Sequence, residues 1–443
     1  MSTPRRRIAT LAVSSIAALS LGLTGCAVGE IGGDSGGASE GQTEISYLIG
    51  DSGGTALPYA QALTTKFNEM NPDIKATVET QPAGTEGDNL MKTKLATGEM
   101  NDVFGYNSGS LFQALSADKN LVPLTDEAWA AALPEEFKSV VSTPQGLYGA
   151  PNGTTQAGGV LYNKKVYADL GLTVPTTWAE FKANNDKIKA DGKVDAIQQT
   201  YGETWTSQLF VLGDFANVSA QDPEWAEQYT ANKRKYVNQP ALQSFENQQD
   251  AFDSGYFNKN FASATYDDGV KAVATGTAAH YPMLSSAISA INQNFKDNVA
   301  DVGFFALPAQ DAANTRMTIW LPNALYIPKT TEGAKLEAAK KFVAFVNSPE
   351  GCEIQNRINT VTGPYVSDCE LPTDVPPLVT DVQKYLDDGK SSPALEFVSP
   401  IKGPNLERIT VEVGSGIKTG EQGAALYDED VKKQAQQLGL DGW

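Results

Sequence analysis

The chain has 443 residues, with 34 Lys and Arg against 53 Asp and Glu, one histidine, three cysteines and a net charge of −19. Such an acid excess, with no basic cluster in the body, excludes nucleic acid and polyanionic ligands. A single histidine and no closely spaced thiols also argue against a transition-metal cage.

Arg5, Arg6 and Arg7 precede an apolar run from Ile8 to Leu23. A spanning helix needs about 20 residues, so residues 1–25 are expected to be a signal peptide. Leu23-Thr24-Gly25-Cys26 resembles the lipobox of bacterial lipoprotein precursors, which implies cleavage before Cys26 and lipid on its thiol. Two or more acyl chains hold a protein stably at a bilayer, where one holds it marginally. Residues 26–43 are rich in Gly, Ser, Asp and Glu and read as a flexible linker. Losing the three arginines leaves 31 of the 34 basic residues against 53 acidic ones, a net −22.

The body, about 400 residues, is long enough for two or three cores. Short apolar runs alternate with helical patterns, which predicts α/β layering. Ile45 to Ile49 reads as a strand, and Leu57, Ala60, Leu63, Phe67 and Met70 as one face of a helix stopped by Asn71-Pro72. Strands are predicted at Ile74 to Val78 and Asp102 to Tyr106, with a helix over Asn89 to Leu95 closed by Gly98. Gly159 to Asn163 and Val302 to Leu307 read as strands, and Ile319 to Ile327 as one extended segment. Thr177 and Glu180 form a capping box, and Leu336, Ala339, Phe342, Val343 and Val346 share a helix face. After Pro404 the pattern is helical but weakly periodic. Cys352 and Cys369 are expected to pair, since an exported compartment permits oxidation.

The order of local motifs carries more information than any one of them. Phe67-Asn68-Glu69-Met70-Asn71-Pro72, Lys94-Leu95-Ala96-Thr97-Gly98, Tyr148-Gly149-Ala150-Pro151, Leu161-Tyr162-Asn163-Lys164, Pro175-Thr176-Thr177-Trp178 and Ala338-Ala339-Lys340-Lys341-Phe342-Val343 occur in sequence. Together they resemble the extracellular solute-binding proteins of carbohydrate ABC transporters, the maltose-binding-protein-like family. The resemblance implies a two-lobed α/β fold of the type II periplasmic-binding-protein kind, hinged about a cleft. Lobe 1 is expected at 44–150 plus 320–373 and lobe 2 at 151–319 plus 374–443. A permease of an ABC importer would be the partner, with a monomeric receptor touching the membrane only through its anchor.

A sugar presents flat C–H faces and many hydroxyls, so its site needs aromatic platforms and short polar groups. Tyr201 and Trp205, with Glu203 between them, are the expected platform segment, and Trp320 with Asn323 a second one. Asp51 and Ser52 follow the first strand and Asn107 and Ser108 the third, where binding loops gather in open α/β sheets. Tyr281, Met283 and Ser285 complete the ligand set that the resemblance implies. His280 is read as structural.

No cofactor or metal is expected. The Gly-Asp-Ser-Gly-Gly runs at 33–37 and 50–54 lack the residue order of a serine protease. The expected function is capture of a neutral di- or oligosaccharide at the outer face of the cytoplasmic membrane, without catalysis. A tethered glycan-active enzyme, an adhesin and a receptor for a non-sugar solute are the alternatives.

Overall fold

Strand β1 (Thr43–Asp51) buries Ile45 and the run Tyr47 to Ile49, and pairs in parallel with β2 (Ile74–Pro82) and β3 (Val103–Tyr106). In this computed structural model the described residues are 41–51, 56–361, 363–367 and 369–443. The leader, Cys26, most of the linker and Ser52 lie outside them.

Helix α1 (Leu57–Met70) joins β1 to β2. It buries Tyr59, Ala60, Leu63, Thr64 and Phe67, whereas Met70 is 47 % exposed and does not join the face expected of it. Asn71 ends the helix, its Nδ2 donating to Phe67 O at 2.8 Å. Asn68 locks helix to strand, accepting from Ala76 N and donating to Ala76 O. Helix α2 (Gly84–Thr97) starts earlier than its apolar pattern suggested and stops at Gly98, whose φ of 77° suits a residue without a Cβ.

Two sheets organise the rest. The first has the order β2-β1-β3-β10-β4, where β4 is Ala150–Asn152 and β10 is Asn323–Tyr326, both antiparallel additions. The second centres on β5 (Gln156–Asn163), flanked on one edge by β7 (Ala278–Leu284) and then β6 (Asp195–Ile197). Its other edge takes β8 (Val302–Phe305) and β9 (Met317–Trp320), with β11 (Ser391–Pro393) outermost. The chain thus changes sheet between Asn152 and Gln156, and again between Trp320 and Asn323. The run read as one extended segment over Ile319 to Ile327 is two strands of different sheets, parted at Pro322, which has no N–H for a ladder.

Each sheet has its own apolar core. Phe342 from the helix Gly333–Val346 meets Tyr47 and Phe67 at ring distances of 5.3 and 5.1 Å. Burying side chains of this size stabilises by about 1.5–3 kcal/mol each. The helices Leu406–Gly414 and Gly420–Gln437 pack with Leu242–Asp253 around Tyr236, Phe245 and Tyr427. Cys352 and Cys369 form a disulfide with Cα atoms 5.5 Å apart.

His280 is fully buried in the second sheet's core. Its Nδ1 lies 2.9 Å from Ala196 O and 3.0 Å from Asn185 Oδ1, and its Nε2 lies 2.7 Å from Tyr167 Oη. Two carbonyl oxygens can only accept, so Nδ1 carries the hydrogen and Nε2 accepts from the phenol. Burial pushes the imidazole down to about 3 from 6.5. Asp214 is also buried, with Asn217 Nδ2 donating to it at 2.7 Å, and burial pushes its carboxyl up to about 7 from 3.8.

These two groups act oppositely on stability. Between pH 3 and 6.5 the unfolded chain binds a proton at His280 that the fold refuses, so stability falls as pH falls through that window. Between pH 4 and 7 the fold holds a proton on Asp214 that the unfolded chain has released, so stability falls as pH rises. Asp214→Asn should therefore expose the His280 slope: urea denaturation from pH 4 to 7 should show stability gaining on the order of 2–4 kcal/mol relative to wild type. An unchanged pH profile would refute the assignment.

Candidate functional site

A chamber of about 290 Å³ opens where the two sheet changes meet. Trp320 ends β9 and pairs in register with Gln156 at the start of β5, and both side chains line the chamber. The indole of Trp320 lies across Gly158: a Cβ there would come within 2.2 Å of its ring, so only glycine permits the approach. Asn323, beyond the second crossing, and Asn107, after β3, contribute amides.

Trp205 forms the facing wall from a 3₁₀ turn, Thr204–Gln208. Its Nε1 donates to Glu203 Oε2 at 3.3 Å, and its ring leans on Tyr266 at 5.5 Å and 38°. Glu203 Oε1 accepts from Tyr266 N at 3.0 Å. Each oxygen of Glu203 thus accepts a hydrogen bond, which ties the indole of Trp205 to the backbone of Tyr266.

One end of the chamber is charged. Lys402 pairs with the buried Glu396 at 3.3 Å, and Glu407 accepts from Thr204 Oγ1. Burial pushes the Asp88 carboxyl up, against the lowering effect of Lys402. Asp267, farther along, is raised by burial first and then by Glu203, Asp268 and Asp51. The three carboxylates at the charged end outnumber the one lysine and repel an anionic guest.

The structure brings Trp205, Trp320, Asn107 and Asn323 to one chamber and sends other expected residues into the core. Tyr201 is 4 % exposed, wedged against Phe257 and Phe261, with its Oη accepting from Gln248 Nε2. Tyr281 bonds Thr200, Met283 is packed in the core, and Ser285 Oγ accepts from Ala157 N. Those three share one face of β7 and its continuation. Leu284, on the opposite parity, is the one that reaches the chamber. Ser108 Oγ donates to Pro322 O and braces the second crossing, while Asp51 Oδ1 accepts from Ala56 N and holds the start of α1. Gln156, Gln208, Asp88, Glu396, Lys402 and Glu407 were missed, because they come from remote segments without a local motif.

The family model for bacterial extracellular solute-binding proteins matches residues 51–351. The chain belongs to that family. The multiple sugar-binding protein of Streptococcus mutans serotype c is 28% identical to this solute-binding protein over 288 residues. That match covers 64% of this chain and 66% of the relative, just under two thirds of its length. Among solved structures, a chitin oligosaccharide binding protein superposes with a TM-score of 0.77 at 22% identity, covering 89% of this chain and 99% of that one. The solute-binding protein RafE in complex with raffinose gives 0.72 at 21% identity, covering 90% and 100%. The solute-binding protein therefore has the two-lobed type II fold, with the chamber lying between its two sheets. No helix among its described residues is long and apolar enough to cross a membrane.

Proposed function

We propose that this solute-binding protein captures a neutral di- or oligosaccharide between its lobes and delivers it, unaltered, to the permease of an ABC importer. One observation carries the reading: Trp205 and Trp320 line a single chamber together with the amides of Asn107, Gln156, Gln208 and Asn323. Aromatic faces suit the C–H side of a pyranose, and amides donate and accept toward its hydroxyls. The acid surroundings disfavour an anionic guest, and the sugar-binding names of the relatives support a sugar.

In this reading each lobe is built on one sheet, so the crossings fall at 153–155 and 321–322 in place of the bounds after 150 and 319 that were expected, and the lobes close on the guest because only the closed state makes both sets of contacts. Lipid on Cys26 keeps the monomer at the outer face of the cytoplasmic membrane. Isothermal titration against a panel of neutral oligosaccharides should show saturable binding with no release of reducing sugar, and small-angle scattering should contract on binding. Silence across the panel, with tight binding of a peptide or an ion, would remove the sugar assignment.

A further inference from the structure

A second chamber, of about 270 Å³, adjoins the first and shares Gln156 and Asn323 with it. The two also meet at the touching rings of Trp205, which lines one, and Tyr266, which lines the other. Their chemistry differs. Asp88, Glu396, Lys402 and Glu407 line the first chamber, whereas the described residues lining the second include no charged side chain. Its walls offer Asn152, Gln355, Asn359, Ser286, Ser289 and Thr360.

Several of these groups are fixed by the protein yet left with capacity for a guest. Asn152 Nδ2 donates to Tyr47 Oη, and Asn152 Oδ1 is buried with no partner among the described residues. Ser289 Oγ donates to Thr360 O and accepts from Thr360 N, both at 3.1 Å. That pair clamps the Thr360 backbone while Thr360 Oγ1 is buried and unpartnered. Gln355 Oε1 accepts from Tyr59 Oη. Ser286 opens the helix Ala287–Asn294 without a side-chain capping bond. An unpaired buried polar atom costs about 1–3 kcal/mol, and turning the Asn152 and Thr360 side chains toward the chamber would let a guest's hydroxyls relieve it.

We propose that this second chamber is a subsite for an uncharged, hydroxyl-rich sugar unit and sets the preferred ligand length at three units or more. The inference rests on the reading of the tryptophan chamber as a sugar site. Two units occupy the tryptophan chamber, and the next unit passes Gln156 and Asn323 into the amide-lined one.

Two homologous series test it on the full-length receptor: sucrose, raffinose and stachyose, and chitin oligosaccharides of two to four units. In whichever series binds, titration calorimetry should show at least a tenfold gain from the second to the third unit. Ser286→Trp, which fills the second chamber only, should abolish that gain and leave the two-unit ligand within twofold of wild type. Thr360→Val, nearly isosteric, should weaken the three-unit ligand about fivefold and spare the two-unit one. No gain on lengthening, or equal losses at every length in both variants, would overturn the subsite while leaving the tryptophan chamber standing. Failure of both series to bind wild type would instead overturn the sugar reading itself, and the subsite with it.

Discussion

Trp205→Ala should weaken binding of the preferred oligosaccharide about 100-fold, while Trp205→Phe should recover most of the loss. Aromatic anchors at the centre of an interface cost 2 kcal/mol or more when truncated, and about 2.7 kcal/mol corresponds to 100-fold. Trp205 suits that role because its orientation is set before any guest arrives: Glu203 holds the indole nitrogen and Tyr266 supports one face. The ring is half-buried, so the alanine variant should fold, which circular dichroism would confirm. Titration calorimetry separates the outcomes. A loss under threefold would show that the guest does not use this face and would move the site away from the chamber.

The second large effect concerns the bridge between Cys352 and Cys369. Cys352 is buried on the helix Pro349–Ile358, which packs on the first sheet's core, and Cys369 lies 17 residues further on. Closing a loop of that length restricts the unfolded chain by roughly 3 kcal/mol in the chain-entropy picture. The double Cys352→Ser, Cys369→Ser variant should lose about that much in urea denaturation. The enclosed segment includes Asn359, Thr360 and Val361, part of the second chamber's wall. The variant should therefore also weaken the longer ligands before the shorter ones. A stability loss below about 1 kcal/mol would mean that the unfolded chain is not constrained by the bridge.

Most of the framework was legible because burial writes a period into the chain. The apolar run of β1, the 3.6-residue face of Gly333–Val346 and the capping box at Thr177 each survive as read. Topology was less legible. The residues of Ile319 to Ile327 read as one extended segment, because a paired strand looks the same whichever neighbour it finds, and only the family resemblance put a lobe crossing within it. The site was legible only where a large aromatic sat in a polar setting, as at Trp205 and Trp320. Along β7 the error was one of parity: the strand is buried on both faces for most of its length, so no polar alternation marked Leu284 as the residue facing the gap. Glu396 and Lys402 precede Pro404 and Glu407 follows it, none within a local motif, and they gain meaning only once folding has carried them to Asp88.

The two places where the backbone changes sheet also bear Gln156, Trp320 and Asn323. In the proposed function, grip and pivot would thus be built from the same few peptide units. A substitution there that retunes tightness retunes the swing of the halves as well, so hold and release cannot be adjusted separately at that spot. Lys402 and Glu407 stand away from the pivots, and changes in taste for one guest over another are most freely made on that rim.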